Sequence, residues 1–275
     1  MNKKYDAIRL IISICFAFLP FVAHAKTVVF IHGYMAEGSI WQYSGVINRM
    51  RDNGWLFAGR YGFNQSYQVV QDVTKRPGDA TVTVELPWQA SIASQAELLN
   101  RYLQAIYKNR PEPMVLVGHS AGGVVARYGL IKHGVGNVES LITIATPHLG
   151  TPMAELAILA SDSPLGVFMQ DLGDPTLLAS RDLFRDLVPA RSGSFLSWLN
   201  QQKHPDIRYH SIIRTAVPVD LRRYDHADLV VPADYQDMNN VPMLKGKSIN
   251  VASDGGHALV AKDADRVLQL LKRYR

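Results

Sequence analysis

The stretch that decides the fold is Val115-Leu116-Val117-Gly118-His119-Ser120-Ala121-Gly122-Gly123. Its first residues are apolar and favour β-structure, and they follow Pro111-Glu112-Pro113, so we expect a short buried strand there. From residue 124 to 131 the apolar residues take helical spacing, which ends at His133-Gly134. Ser120 therefore lies in a tight strand-to-helix turn, in which glycine at positions 118 and 122 lets the backbone pass and the serine hydroxyl stand clear of the sheet.

Further apolar runs predict the other strands of a buried, mostly parallel sheet. These runs cover residues 26–31, 81–86, 140–145, 207–213 and 249–251. Residues 55–58 compete with 81–86 for the second strand, and the stronger β-branched alternation favours 81–86. Residues 59–80 are then interpreted as an insertion.

Helical spacing predicts the layers that cover this sheet. A first helix spans Ile40 to Met50, and a second begins at the capping-box pair Ser94 and Glu97 and stops before Pro111. Residues 263–273 form an amphipathic helix that follows the last strand.

Residues 1–25 have the pattern of a secretory signal peptide. Lys3, Lys4 and Arg9 precede an apolar run that is short for a membrane span, and Ala23-His24-Ala25 is a small-x-small cleavage site. A retained N-terminal anchor is the alternative. Cleavage would leave residues 26–275 as one domain, exported to the periplasm or the medium of a bacterium.

Composition excludes several classes of protein. The only cysteine, Cys15, lies in the predicted leader, so the exported chain would have no disulfide, cysteine nucleophile or thiolate metal site. A formal charge of +5 without a basic patch is not typical of a nucleic-acid-binding protein. The chain also contains no phosphate-binding glycine loop, dinucleotide fingerprint or His-Glu-x-x-His pair, so we expect no cofactor and no metal.

Five segments together resemble one family. They are residues 30–34, 118–122, 145–152, 228–232 and Gly256-His257. On these motifs the chain resembles the secreted bacterial lipases and esterases of the α/β-hydrolase superfamily, the triacylglycerol lipase-like type. The resemblance implies an α/β fold with a mostly parallel central sheet flanked by helices, and a triad in the chain order serine, acid, histidine.

This order assigns the remaining partners of Ser120. A serine hydroxyl needs a histidine base and a carboxylate that orients it, and His257 is the histidine that follows the last predicted strand. Asp228 is the preferred acid because Asp-Leu-Val-Val-Pro resembles the acid segment of the family, while Asp225 and Asp220 stay open as alternatives. His148 precedes every candidate acid and is interpreted as structural.

The same family places an oxyanion hole beside the nucleophile. A His-Gly pair at the end of the first strand, here residues 32–33, opens the loop, and the N–H of Tyr34 is the first expected donor with Met35 as the alternative. The N–H of Ala121 is the second donor.

The apolar segment 151–205 lies where this family carries a helical cap or lid, and additional core helices are the alternative. The expected function is a serine carboxylester hydrolase that cleaves lipid-like esters through an acyl-enzyme. Its partners would be a lipid or small ester substrate and, transiently, a lipid interface. A thioesterase or amidase with the same triad, or an inactive binding protein of the same fold, remains open.

Calcium is not expected. The residues after His257, Ala258-Leu259-Val260, lack the acidic pattern of the calcium-bound lipases, although Asp254 and Asp263 are nearby.

Overall fold

An eight-stranded sheet forms the centre of the protein. The computed structural model describes residues 25–63, 69–73, 76–163, 176–214, 228 and 230–273, so residues 1–24 of the predicted leader lie outside the described residues. In chain order the strands are β1 (Thr27–Ile31), β2 (Leu56–Phe63), β3 (Val69–Val73), β4 (Ala80–Val84), β5 (Met114–His119), β6 (Val138–Ile144), β7 (Arg208–Arg214) and β8 (Ser248–Ser253). Their spatial order is β3-β2-β4-β1-β5-β6-β7-β8. Seven strands run parallel, and β3 pairs antiparallel with β2 at one edge.

Helices cover this sheet and connect its strands. The described helices are α1 (Ile40–Tyr43), α2 (Val46–Asp52), α3 (Ile92–Asn109), α4 (Ala121–His133), α5 (Pro152–Ser161), α6 (Thr176–Ala179), α7 (Arg181–Leu187), α8 (Phe195–Asn200), α9 (Ala233–Gln236) and α10 (Lys262–Lys272), with 3₁₀ turns at Met238–Asn240 and Pro242–Leu244. Among the described residues, none of the helices is both long enough and apolar enough to span a bilayer.

Strand β1 shows how the sheet separates two cores. Val29 and Ile31 pack in a cluster that includes residues of α3 and α4, whereas Val28 and Phe30 pack in a second cluster with residues of α2 and α10. Alternate side chains of a strand point to opposite faces of the sheet, and here both faces are covered. A strand buried on both sides is an uninterrupted apolar run, which is why the sequence revealed it.

The sequence prediction for residues 55–80 was wrong in part. Residues 81–84 do form a strand, but 56–63 and 69–73 are strands of the same sheet rather than an insertion. The pairing of β2 with β4 shifts register between Phe57 and Gly59, and Gly59 has a φ of 128°. This irregularity breaks the period-two alternation on which the prediction depended.

Two helix predictions also need correction. The helix expected from Ile40 to Met50 is divided into α1 and α2 by Gly45, which has a left-handed φ of 82°. The helix expected at Ser94 begins at residue 92, because the Oγ of Ser91 accepts a hydrogen bond from the N–H of Ser94 and so makes Ser91 the cap.

Short helices α5 to α8 lie in the predicted cap segment, of which residues 164–175 are outside the described residues. Part of this segment contributes to the core, since Leu183, Leu196 and Leu199 are fully buried with residues of α3 and α4. On α5, by contrast, Leu156 and Leu159 are 56% and 66% exposed. The buried leucines agree with additional core helices, and the exposed leucines of α5 agree with a cap. The cap stays a prediction.

Candidate active site

Ser120 lies between β5 and α4 with φ 51° and ψ −129°, a strained conformation that is rare for a residue with a side chain. The residues two positions before and two positions after Ser120 must be glycine. A Cβ at position 118 would lie 2.5 Å from the Cα of Gly123, and one at position 122 would collide with the carbonyl oxygen of His32. The turn therefore has the geometry expected of a nucleophile elbow.

Three side chains from distant parts of the chain meet at this elbow. The Nε2 atom of His257 lies 2.9 Å from the Oγ of Ser120, and its Nδ1 atom lies 2.9 Å from the Oδ2 of Asp228. The imidazole is 21% exposed and the carboxylate 1% exposed. Of the candidate acids, Asp228 is the one that the structure brings to His257; Asp220 and Asp225 lie outside the described residues.

The contacts of Asp228 fix the tautomer of His257. Its Oδ1 atom accepts hydrogen bonds from the N–H groups of Val230 and Val231, both at 2.9 Å, and its Oδ2 atom accepts one from the Nε2 of Gln236 at 3.0 Å. An ionised carboxylate only accepts, so the Nδ1 of His257 carries the proton. The Nε2 atom then presents its lone pair to the hydroxyl of Ser120.

The loop that carries the predicted oxyanion donor adjoins Ser120. A Cβ on Gly33 would lie 2.8 Å from the Cβ of Ser120. His32 holds this loop, because its Nδ1 donates to the carbonyl of Gly33 at 2.9 Å and its Nε2 accepts from the N–H of Leu86 at 2.9 Å. The ring of Tyr34 packs edge-on against the rings of Trp88 and Phe184.

The other predicted donors are close in the chain. Ala121 is the first residue of α4, where the backbone N–H groups have no acceptor within the helix. Met35 has a positive φ of 52° and is 67% exposed. The choice of the two N–H groups that would face a substrate oxygen stays a prediction.

His148 lies apart from this constellation. It is fully buried, with its Nε2 3.0 Å from the Oγ1 of Thr143 and its backbone N–H donated to the carbonyl of Tyr235 at 2.8 Å. Burial lowers the pKa of its imidazole well below the usual value, and so keeps the ring neutral. These contacts agree with the structural interpretation.

In the part of the chain that the structure describes, no group of three or more histidine, cysteine, aspartate or glutamate residues could hold a metal ion. The two acidic residues that flank His257 are engaged with other partners. Asp254 is an exposed partner of Lys262, and Asp263 forms a buried ion pair with Arg214.

Comparisons with known proteins cover part of the region that contains this site. A family model described as the PGAP1-like alpha/beta domain matches residues 88–161, a range that includes Ser120 but neither Asp228 nor His257. GPI inositol-deacylase A from Yarrowia lipolytica is 27% identical over 157 residues, which are 51% of this chain and 14% of that protein. Triacylglycerol lipase 2 from Saccharomyces cerevisiae is 31% identical over 96 residues, which are 32% of this chain and 29% of that protein. The chain thus spans less than a third of the length of either relative.

Among solved structures, the lipase BlEst2 of Bacillus licheniformis in its propeptide form has a TM-score of 0.63 at 20% identity, over 91% of this chain and 51% of that chain. The chain has the α/β-hydrolase fold. At such low identity the likeness shows the fold alone, and it confirms the mostly parallel sheet flanked by helices that the sequence predicted.

One contact at this site was missed from the sequence. His119, directly before Ser120, has its Nε2 2.8 Å from the carbonyl oxygen of His257, and the two rings are 5.2 Å apart. Burial lowers the pKa of His119 to about 3, so its ring is neutral and Nε2 must carry the proton that is donated. His119 therefore ties the elbow to the segment that bears His257. Its position in the Gly-x-Ser-x-Gly motif was the available signal.

Proposed function

We propose that this α/β-hydrolase is a serine carboxylester hydrolase, with Ser120 as nucleophile, His257 as general base and Asp228 as the acid that orients the base. The observation that carries the proposal is the continuous hydrogen-bond chain from the Oγ of Ser120 through both nitrogens of His257 to Asp228, with 2.9 Å at each step. A histidine held in this tautomer can take the proton of the hydroxyl as the oxygen attacks.

The reaction would proceed in two steps. The Oγ of Ser120 attacks the ester carbonyl, and His257 takes its proton and then gives it to the leaving alcohol, which produces an acyl-enzyme. Water, deprotonated by His257, next attacks the acyl group and releases the acid and the free serine. The negative charge on the carbonyl oxygen would be stabilised by the N–H groups of Tyr34 and Ala121, or of Met35 in place of Tyr34.

Lipid-like esters are the proposed substrates. Apolar side chains are exposed on segments next to the triad: Met35 on the oxyanion loop, Met153 at the start of α5, Val230 after the acid and Val260 after the base. Such side chains suit an acyl chain or transient contact with a lipid interface. The names of the relatives, a deacylase and a lipase, support the same substrate class. We also propose export, with removal of residues 1–25.

Labelling with a serine-reactive phosphonate tests the proposal. The unmodified protein should bind the probe covalently at Ser120 and hydrolyse a panel of esters of increasing acyl length. Ser120→Ala should lose both reactions while its melting temperature stays unchanged, with a turnover loss on the order of a millionfold.

Ser94→Ala is a matched control, because that hydroxyl is exposed and lies at the start of α3. Near-normal ester hydrolysis by Ser120→Ala would refute the proposal. If the probe labels the protein, but the protein cleaves thioesters or amides and not esters, it is a thioesterase or an amidase. No labelling at all would indicate an inactive binding protein.

A further inference from the structure

Asp228 lies outside the strands that the structure describes, yet its carboxylate is fully coordinated. Two backbone N–H groups, those of Val230 and Val231, bind Oδ1, and the side chains of Gln236 and His257 bind Oδ2. A carboxylate has about four acceptor positions, and these four donors fill them. The direction of the lone pair offered to His257 thus depends on Gln236, the other side chain that, among the described residues, binds the same oxygen.

Gln236 is buried, with 1% of its surface exposed, and its amide can adopt only one orientation. Its Nε2 group donates to Asp228 Oδ2 at 3.0 Å and to the carbonyl of Val231 at 2.8 Å, while its Oε1 accepts the backbone N–H of Arg214 at 2.8 Å. If the amide were flipped, its oxygen would face Asp228 Oδ2 and the carbonyl oxygen of Val231, and its NH₂ group would face the N–H of Arg214. Both polar atoms of this side chain are therefore committed, to Asp228, to Val231 and to Arg214 at the end of β7.

Arg214 is also bonded to the segment that carries the base, residues 254–261. Its guanidinium forms a bidentate pair with Asp263, at 2.6 and 2.8 Å, and both side chains are 0% exposed. The same guanidinium donates to Ser253 Oγ at 2.9 Å and to the carbonyl of Ala258 at 3.2 Å, next to the base. Asp263 in turn accepts the N–H of Val260 at 2.9 Å.

We propose that Gln236 is a positioning residue for Asp228, and that Arg214 is the common anchor that fixes both the acid and the segment bearing His257 to the end of β7. Through its backbone N–H it holds the glutamine that orients the acid, and through its side chain it holds both flanks of the base. The separation of Asp228 Oδ2 and His257 Nδ1 is then set by one residue rather than by two independent loops. This inference rests on the proposed function, because it concerns the same triad.

Gln236→Glu tests the first half with almost no change of shape. It replaces a donor by a second carboxylate beside Asp228, which should stabilise protonated His257 and move the acid limb of the kcat/KM profile to higher pH. We expect kcat to fall roughly ten- to a hundredfold, the loss seen when outer partners of metal-bound histidines are removed, with little change in KM.

Gln236→Met keeps the volume and adds no charge, so it should lose kcat with a smaller movement of the acid limb. Gln201→Glu is the matched control, because Gln201 is exposed and its amide lies 3.4 Å from Ser197 Oγ. Rates are measured on a soluble short-chain ester from pH 5 to 9, alongside melting temperatures. If the Glu variant does not fold, the Met variant decides: a folded Gln236→Met protein with unchanged kcat and pH profile overturns the role of Gln236.

The double variant Arg214→Met/Asp263→Met tests the anchor. It removes both buried charges together, so neither is left unpaired and the protein is expected to fold. Loss of the bonds to Ser253 and Ala258 should lower kcat at least tenfold. Wild-type kcat in the folded double variant would overturn the anchoring role. Phosphonate labelling of the unmodified protein separates the failures: absent labelling contradicts the proposed function, whereas normal labelling with fully active variants contradicts this inference alone.

Discussion

Replacing Asp228 by asparagine should reduce turnover severely, because the substitution changes the tautomer of His257. The two N–H groups on Oδ1, from Val230 and Val231, require an acceptor, so the asparagine oxygen must take that place. Its NH₂ group then faces Gln236 and His257 where the charged oxygen had accepted two bonds. To accept from this NH₂ group, His257 must move its proton from Nδ1 to Nε2. The nitrogen next to Ser120 then has no lone pair for the hydroxyl proton.

The magnitude follows from the loss of the base. An asparagine in the acid position of a serine triad reduces turnover on the order of ten-thousandfold, which corresponds to about 5 kcal/mol in the activation barrier. The packing hardly changes, so the melting temperature should fall by only a few degrees. The assay is kcat for a soluble ester at pH 8, with protein quantified by absorbance and its fold checked by circular dichroism.

Asp254→Asn is the matched control, because its exposed carboxylate lies 3.5 Å from Lys262 on the segment that bears the base. It should keep its activity within about twofold, and Asp225→Asn and Asp220→Asn should behave likewise. A folded Asp228→Asn protein that retains a tenth of the activity would refute the tautomer argument. A severe loss in Asp225→Asn would point to a different acid.

Three further results are expected. Burial holds the pKa of His119 at about 3, whereas the same imidazole in the unfolded chain has a pKa of 6.5. Below pH 6.5 the unfolded state therefore binds a proton that the folded state does not, and His119 alone should lower the free energy of unfolding by about 2 kcal/mol between pH 7 and pH 5. A melting temperature that stays constant over that range contradicts this. Gly122→Ala should disrupt the elbow, because the new Cβ would collide with the carbonyl oxygen of His32. Gly129→Ala should be tolerated, because its Cβ would make an ordinary 3.7 Å contact with Ala96. Soluble expression and turnover of the two variants test this difference. If residues 151–205 form a mobile cap, hydrolysis of a short-chain ester should rise sharply where the substrate exceeds its solubility, and a smooth saturation curve would leave these helices as core.

The sheet was largely predictable because buried parallel strands are short apolar runs, and β1, β4, β5 and β6 have that character. Ser120 was predictable because its strained turn requires glycine at fixed positions on either side. β2 was missed because a register shift at Gly59 disturbs the alternation of its side chains. Local periodicity describes a regular strand and fails where a bulge interrupts it.

The site was predictable to the extent that its residues have local signatures or a family motif. Asp228 could be preferred over two neighbouring aspartates only through its resemblance to a known segment, because nothing local distinguishes the three. Gln236 and Arg214 had no signature at all. They are 22 residues apart, and Arg214 and Asp263 are 49 apart, so their contacts exist only after the sheet has formed.

The strand order has a consequence for how the protein is made. Ser120 and His257 are 137 residues apart, and the base follows β8, the last strand of the sheet. At a synthesis rate of about 5–20 residues per second, the ribosome adds Ser120 about 7 to 27 seconds before His257. During that interval the nascent chain has the proposed nucleophile without its proposed base. The proposed hydrolysis of lipid esters therefore cannot begin until β8 and α10 have been translated and packed.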